Sequence, residues 1–476
     1  TVRWVVGIVL GVYIGTIVLL NIPNIQQAMS VFVAEELSEV LNTKVVIGRI
    51  NMGLLNRIII DDVLLDDQSG QEMLKVTRLS AKFDIMPFFK GKISISSVQL
   101  FGFNINLRKE TPDFPPNFKF VLDAFASKDT VKKENSLDLR INSILIRRGR
   151  MSYHVLSEEE TPGKFNAKHI QLQNIIANIS LKALSKDSLN LGIKRLSLDE
   201  KASGFSLKKM SLKLVANNKQ TNIDNFTIEL PETSLKLDTI HLEYDSLKAF
   251  DRFTEQVHFS FRTLPSQVTL KDISPFVPIL SHFKEPVTLD MEVKGTVDQL
   301  TCSHLEITAD DRQFRLRGDV SLQDLSHPQD AYVYGTLSEL SANTRGVGFL
   351  VRNLSPNYNG VPPLLERLGN VSFQGEISGY FTDLVTYGQL QTSLGNVKTD
   401  LKLSSDKTKG LFAYSGAVKT EDFQLGKLLD NEELGEITFN LDVHGRHIAD
   451  HLPAVELKGL IASIDYSRYR YENITL

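Results

Sequence analysis

The sequence predicts a mostly β protein that begins with two helices, and three observations lead to this prediction. An uncharged apolar run opens the chain, apolar residues then recur at three- and four-residue steps, and from Lys44 onward apolar and polar residues alternate. Lys and Arg number 53 against 57 Asp and Glu, so the chain has no basic surplus for nucleic-acid binding. A single cysteine, Cys302, excludes an internal disulfide framework and a site of several thiolates.

Residues 1–22 are predicted to form a transmembrane anchor. The run from Trp4 to Leu20 has no charge, and about 17–25 apolar residues suffice to span a bilayer. Arg3 favours a cytoplasmic N-terminus, with the bulk of the chain across the membrane. A cleaved signal or a buried helix is less favoured, because no small-residue cleavage site follows the run. The predicted membrane-facing side chains are Trp4, Val5, Ile8, Leu10, Tyr13, Ile17 and Leu20.

Residues 23–42 are predicted to form a short amphipathic helix that starts at Pro23 and Asn24. One interpretation packs this helix on the first strands, and the other lays it on the membrane surface. Its polar face is acidic, whereas surface-seeking helices are usually basic, so packing on the strands is favoured. The apolar positions are Ile25, Ala28, Met29, Phe32, Val33, Leu37, Val40 and Leu41.

Strands of alternating character, typical of antiparallel sheet, fill the remainder of the chain. Turn signals at intervals of about 8–12 residues predict on the order of 30–35 strands over residues 44–476. Short helices are expected only at residues 118–125, 275–283, 362–368 and 423–429.

Internal repeats support one continuous construction. Residues 287–295, 371–379 and 437–445 match one another, with apolar residues at alternate positions and a glycine at the ninth. These glycines, Gly295, Gly379 and Gly445, are predicted to mark bulges or bends. Residues 93–100 resemble residues 139–146 in the same way.

So many strands with so few helices pose a packing problem, because open twisted sheets rarely exceed about 10 strands without curling or splitting. Stacked sandwiches, a solenoid with a filled interior and an open groove with an apolar lining all solve it. Composition does not decide among the three.

Residues 46–107 combine an apolar strand with Gly48, the acidic turn 66–70 and alternating strands that end in Phe103-x-Ile105. This pattern, directly after a single membrane anchor, resembles the N-terminal signature of the AsmA-like superfamily. Residues 204–242 and 295–318 resemble repeats of its TamB branch. The resemblance implies an AsmA-like strand module over 43–110 and a repeating β-groove over 111–476 that continues beyond residue 476.

The resemblance implies a single-pass protein of the bacterial inner membrane, with its N-terminus cytoplasmic and its bulk periplasmic. A long curled antiparallel-type β-sheet would form an open groove with a hydrophobic interior that carries phospholipids toward the outer membrane. The family's partner is an outer-membrane barrel of the Omp85 type, contacted through C-terminal parts not present in this chain. The predicted lining residues are Ile93, Ile95, Phe226, Ile228, Leu230, Leu289, Met291, Val293, Phe373, Ile377, Phe439, Leu441 and Val443.

Two other functions remain open. A scaffold or chaperone would assist outer-membrane β-barrel assembly or secretion by strand addition at sheet edges. An adhesin-like stack of sandwiches would fill each core with side chains. A conduit, by contrast, needs a lining that is apolar from end to end, because a single charge would be a barrier.

No catalytic or cofactor motif was found, so a non-enzymatic protein without cofactor or metal is expected. His444, His447 and His451 form the most metal-like cluster, but surface histidines are the favoured interpretation. The acidic runs Glu158–Glu160 and Asp61–Asp62 are expected to be solvated.

Overall fold

The structure is a computed structural model, and the mostly β prediction is confirmed, with 61% strand and 18% helix. It describes the chain except for residues 1, 54–55, 85–92, 126–136, 139–141, 186–187, 310–312, 328–329, 355–359, 407–410 and 449–453. Contacts divide the chain into two compact units. Unit 1 comprises Thr1–Val215, Thr227–Pro231 and Asp272–Pro278, and unit 2 comprises Ala216–Phe226, Glu232–Lys271 and Ile279–Leu476. The predicted boundary at residues 110 and 111 stays a prediction.

Short helices connect and flank the strands. The α-helices are α1 (Val2–Leu20), α2 (Pro23–Leu41), α3 (Lys119–Phe125), α4 (Phe253–Gln256), α5 (Thr344–Leu354), α6 (Pro363–Arg367) and α7 (Leu425–Leu429). The 3-10 helices span Leu247–Arg252, Leu270–Ile273 and Pro278–His282. Each predicted short helix overlaps one of these elements. Helices α4 and α5 and the 3-10 helix Leu247–Arg252 were not predicted. In α5, Gly346 and Gly348 make the sequence a weak helix former.

Among the described residues, no single helix has the length and hydropathy of a membrane span. Gly11–Leu20 and Pro23–Leu41 pass that test only as a pair, with a bend of 71° between them.

Unit 1 contains a ladder of strands in the order β1-β2-β3-β4-β6-β7-β8, with the two-residue β5 beside β4. The bounds are β1 (Val45–Gly53), β2 (Arg57–Asp66), β3 (Glu72–Phe83), β4 (Ile93–Lys109), β5 (Leu137–Asp138), β6 (Ser143–Val155), β7 (His169–Ser185) and β8 (Ser188–Glu200). The chain changes unit within β9 (Ser206–Asn217) and again within β10 (Gln220–Glu229).

In unit 2 every strand from β11 to β22 pairs antiparallel with the next strand in sequence. The bounds are β11 (Ser234–Glu243), β12 (His258–Val268), β13 (Val287–Gly295), β14 (Gln299–Ala309), β15 (Phe314–Gln323), β16 (Tyr332–Ala342), β17 (Val371–Tyr380), β18 (Asp383–Thr392), β19 (Gly395–Asp406), β20 (Leu411–Gln424), β21 (Leu434–Ile448), β22 (Ala454–Tyr466) and β23 (Tyr469–Thr475).

The structure has fewer strands than predicted. The prediction assumed a turn at intervals of about 8–12 residues, and several strands are longer than that interval. The described residues hold 23 strands, and β4 and β7 each extend over 17 residues. Long strands widen a sheet along the strand direction without adding members to the ladder.

The early repeat pair departs from the antiparallel prediction. Strands β4 and β6 pair in parallel, and their register sets Val98 opposite Ile144 and Leu100 opposite Ile146, as the sequence match aligns them. Parallel neighbours need a long crossover, which residues 110–142 supply and which includes α3. The matched positions 139 and 141 lie outside the described residues.

The three later repeats are strands β13, β17 and β21, so the period of the repeat is four strands. Their sequence spacing is uneven because α5 and α6 lie between β16 and β17.

Two of the repeat glycines lie close to a hairpin turn, because Gly295 is the last residue of β13 and Gly379 the second-last residue of β17. Gly295 has φ +124° and Gly379 has φ +130°, a region that favours glycine. Gly445 instead lies within β21, opposite Tyr414. The register continues through all three positions, so none of them is a bulge, and the alternative of a bend stays a prediction.

Helix α2 packs on the first strands, as favoured from its acidic polar face. Met29, Val33 and Leu37 pack against a core that includes Ile47 and Leu65. Phe32 and Val40, which were assigned to the same apolar side, are 63% and 57% exposed. The apolar arc of the helix is wider than the strip that the strands cover, so part of it faces outward.

Candidate functional site

One face of the β13–β23 ladder carries almost only apolar side chains, and we call it the apolar face. Cross-strand partners in an antiparallel pair point to the same side of the sheet, so the register defines rows that cross the strands. The first row contains Leu289, Ile307, Leu316, Leu340, Phe373, Leu390, Val397, Thr420, Phe439, Ile461 and Ile474.

Three further rows lie beside the first. The second contains Met291, Leu305, Gly318, Leu337, Gly375, Gly388, Thr399, Val418, Leu441 and Gly459, and the third contains Val293, Cys302, Val320, Gly335, Ile377, Thr386, Leu401, Gly416, Val443 and Leu457. The fourth contains Gly295, Leu300, Leu322, Val333, Gly379, Leu384, Leu403, Tyr414, Gly445 and Val455. No charged residue stands in any of these four rows as the register defines them.

The register thus brings eight predicted lining residues together. Leu289, Phe373 and Phe439 share the first row, Met291 and Leu441 share the second, and Val293, Ile377 and Val443 share the third. Val293 and Leu441 are buried, and the other six are half-buried.

The remaining predicted lining residues lie elsewhere. In β10 Phe226 and Ile228 are half-buried, and Leu230, directly after it, is buried. Ile95 in unit 1 is half-buried opposite Phe83. The side chain of Ile93 lies outside the described residues.

Several positions on the apolar face are glycines, which place no side chain above the backbone of the sheet. A methyl group on Gly388 would lie 2.6 Å from Cζ of Phe373, and one on Gly375 would lie 2.8 Å from the same atom. The Phe373 ring therefore lies flat over two glycines of the second row. The Tyr414 ring covers Gly445 in the same manner. Flat rings give a smoother surface than side chains that stand upright.

Helices cover one margin of the apolar face. Val347 and Phe349 of α5 form a core with Phe314, against which Leu316 and Leu340 of the first row pack. Leu425 and Leu428 of α7 likewise pack with Phe439 and Ile461 of the first row, around Phe423. These two cores include no residue of the second, third or fourth row. Among the described residues of unit 2, the strands form a single ladder.

The opposite face of the ladder is polar and carries ion pairs. Glu306 accepts hydrogen bonds from Arg315 at 2.7 Å and from Arg317 at 3.1 Å. Burial disfavours ionisation of Glu306, but these two guanidinium groups outweigh it and hold the pKa of the carboxyl below its usual value. Gln374, the neighbour of Phe373, is exposed on this face.

The predicted anchor residues are placed on α1. The Tyr13 hydroxyl donates to Oδ1 of Asn56 at 3.2 Å, and Ile17 and Leu20 are half-buried. Trp4 is 80% exposed. The side chains of Val5, Ile8 and Leu10 lie outside the described residues.

One acidic residue that was expected to be solvated is buried. Asp61 is 6% exposed and accepts hydrogen bonds from Arg78 at 2.6 Å, from Asn51 at 3.2 Å and from Arg49 at 3.4 Å. The neighbouring strands β1 and β3 supply these donors, which the linear sequence did not reveal. The hydrogen bond to Asp61 raises the pKa of Arg78.

The histidine cluster near residue 447 gives no site in the described part of the chain. His444 is exposed on the polar face, and the side chains of His447 and His451 lie outside the described residues. Cys302 is buried in the third row, and burial raises the pKa of its thiol.

Sequence reasoning missed most of the apolar face. Leu316, Leu340, Leu401 and Val418 belong to it but stand in strands that do not match the repeat. The alternation of residues 314–320 was a signal that could have identified β15.

Comparison of the chain with models of protein families, with curated proteins and with solved structures finds no significant match.

Proposed function

We propose that this protein is a membrane-anchored, non-enzymatic conduit of the TamB kind, which carries phospholipid acyl chains along the apolar face. The observation that carries the proposal is the set of four uncharged rows across β13–β22. With strands about 4.8 Å apart and alternate residues about 6.7 Å apart, these rows extend for roughly 45 Å across the strands and roughly 20 Å along them.

Physical chemistry explains why such a surface suffices. Exposing an acyl chain to water costs about 0.8 kcal/mol per CH₂, so two sixteen-carbon chains would cost on the order of 20 kcal/mol. A surface without charge lets the chains move from strand to strand while remaining in apolar contact. No chemical step is required. The sheet of unit 2 is open and not curled as predicted, so the proposal uses its apolar face and not a walled groove.

The proposed anchor is α1, with the chain's bulk in the periplasm of a double-membraned bacterium and phospholipids carried toward the outer membrane. The outward-facing Phe32 and Val40 of α2 support a position near a membrane, because exposed apolar side chains of this size suit an apolar environment. An Omp85-type barrel would be the partner at the far membrane.

The proposal is tested by placing a photo-crosslinking residue at Phe373 or, separately, at Gln374 in cells. Phe373 lies on the apolar face and Gln374 on the polar face of the same strand, so each position controls for the other. Phospholipid adducts at position 373 and not at 374 are expected. Adducts to outer-membrane proteins at both positions, without lipid, would contradict the conduit and support the scaffold function instead.

A further inference from the structure

Two histidines of unit 1 face each other across a strand pair. His154 in β6 and His169 at the start of β7 are direct cross-strand partners. Their Nδ1 atoms lie 3.1 Å apart. At this distance two ring nitrogens share either a proton or a metal ion.

The hydrogen bond on the far side of His169 determines which nitrogen can bind a metal. Nε2 of His169 lies 2.9 Å from the carbonyl oxygen of Glu158, and a carbonyl only accepts, so Nε2 carries the hydrogen. In the neutral ring, Nδ1 then presents a lone pair toward His154. Histidine ligands of metals typically donate their second N–H to a carbonyl or carboxylate in this way. His169 is only 6% exposed, so its ring is held in place by packing.

A carboxylate completes the group. Oε1 of Glu160 lies 3.9 Å from Nδ1 of His154, and one ligand atom from each of the three residues lies within 4.8 Å of the others. Two nitrogens bound to a tetrahedral zinc ion, each about 2.0–2.1 Å from the metal, lie about 3.3 Å apart, close to the separation of the two histidines.

We propose that His154, His169 and Glu160 bind a divalent transition metal, with zinc the best fit to two imidazoles and one carboxylate. The metal would hold the 156–168 loop against β6 and β7, the two strands that this loop connects. That connection is already positioned, since Val155 N donates to the Lys168 carbonyl at 2.9 Å. Three protein ligands leave one tetrahedral position for water or another ligand. This site is independent of the proposed lipid function.

The experiment uses the purified full chain, stripped of metal by a chelator, and titrates it with Zn²⁺ by calorimetry. Co²⁺ absorption reports the coordination geometry. We expect roughly one Zn²⁺ per chain, with tetrahedral Co²⁺ bands. The substitutions His154→Gln and Glu160→Gln should each weaken binding by about tenfold or more. Both change side chains at least partly exposed to solvent, so the fold should survive, as circular dichroism would verify.

His241→Gln is the matched control. His241 also has a carboxylate neighbour, with Nε2 3.0 Å from Glu243, but its Nδ1 faces an asparagine, Asn222. This variant should bind Zn²⁺ as the wild type does. Absence of Zn²⁺ binding by the wild type, or equal binding by His154→Gln and Glu160→Gln, would overturn the proposal. The histidines would then share a proton in an ordinary hydrogen bond.

Discussion

A charge placed in the third row should block movement of acyl chains. The substitution Ile377→Asp places a carboxylate on the apolar face, between Gly335 and Thr386. Ile377 is half-buried and its neighbour Gly335 has no side chain, so the carboxylate has room and the fold should be retained. Its hydration interrupts the continuous apolar path.

The magnitude follows from the spacing of the ladder. A chain that crosses one strand, about 4.8 Å wide, presents about three CH₂ groups to it. Exposing these groups to a hydrated carboxylate costs about 2 kcal/mol at ~0.8 kcal/mol per CH₂. Since 1.4 kcal/mol corresponds to a factor of ten, phospholipid transfer should slow by about 30-fold.

The assay measures transfer of a labelled phospholipid between donor and acceptor vesicles by the purified protein. Ser378→Asp is the matched control, because it adds the same charge one residue further, on the polar face opposite Tyr334 and Val385. Unfolding temperatures of both variants show whether the fold is intact. An unchanged transfer rate for a folded Ile377→Asp protein, or an equal loss in Ser378→Asp, would refute the reasoning.

Two further predictions concern stability. Gly388→Ala should destabilise unit 2 by about 1–3 kcal/mol, because the new methyl would clash with the Gln374 carbonyl oxygen and with the Phe373 ring at 2.6 Å. Gly335→Ala, whose nearest neighbours lie at 3.5 Å, should cost much less in a denaturant titration. Glu200 is 3% exposed and accepts hydrogen bonds from the Ser203 side chain and from backbone N–H groups. These hydrogen bonds outweigh the effect of burial and lower the pKa of the Glu200 carboxyl. Glu200→Gln should therefore lower the free energy of unfolding by about 1–3 kcal/mol at pH 7. A carboxyl whose pKa is lowered in the folded state stabilises the fold at pH values above its unfolded-state pKa, and this stabilisation is lost as the pH falls through its folded-state pKa. The difference in free energy of unfolding between wild type and Glu200→Gln should therefore shrink in acid. A difference that stays constant with pH would contradict this assignment.

The class of fold and the apolar side of the repeat strands β13, β17 and β21 could be predicted, because alternation is a local property. Phe373 and Ile377 were assigned to one side from the pattern alone, and the register places both on the apolar face. The match between residues 93–100 and 139–146 indicated two similar strands, but it did not predict that they pair with each other.

Long-range pairing could not be predicted in the same way. The parallel contact of β4 with β6 depends on a crossover that carries no local signature. The burial of Asp61 depends on Arg49 and Arg78, which come from neighbouring strands. The pairing of His154 with His169 also arises only when the 156–168 connection brings their strands together.

The most direct test of the central claim measures which side of one strand contacts acyl chains. Single cysteines at consecutive positions 397–403 of β19 would carry a fluorophore, with Cys302 replaced by alanine, and phospholipids with a quencher on the acyl chain would be added. Val397, Thr399, Leu401 and Leu403 are half-buried in the four rows, whereas Lys398, Asp400 and Lys402 are exposed on the polar face. The account predicts quenching with a period of two residues, strongest at 399, 401 and 403, since Val397 packs in the same core as Leu425 and Leu428 of α7. Quenching that is uniform along the strand, or strongest at 398, 400 and 402, would contradict it.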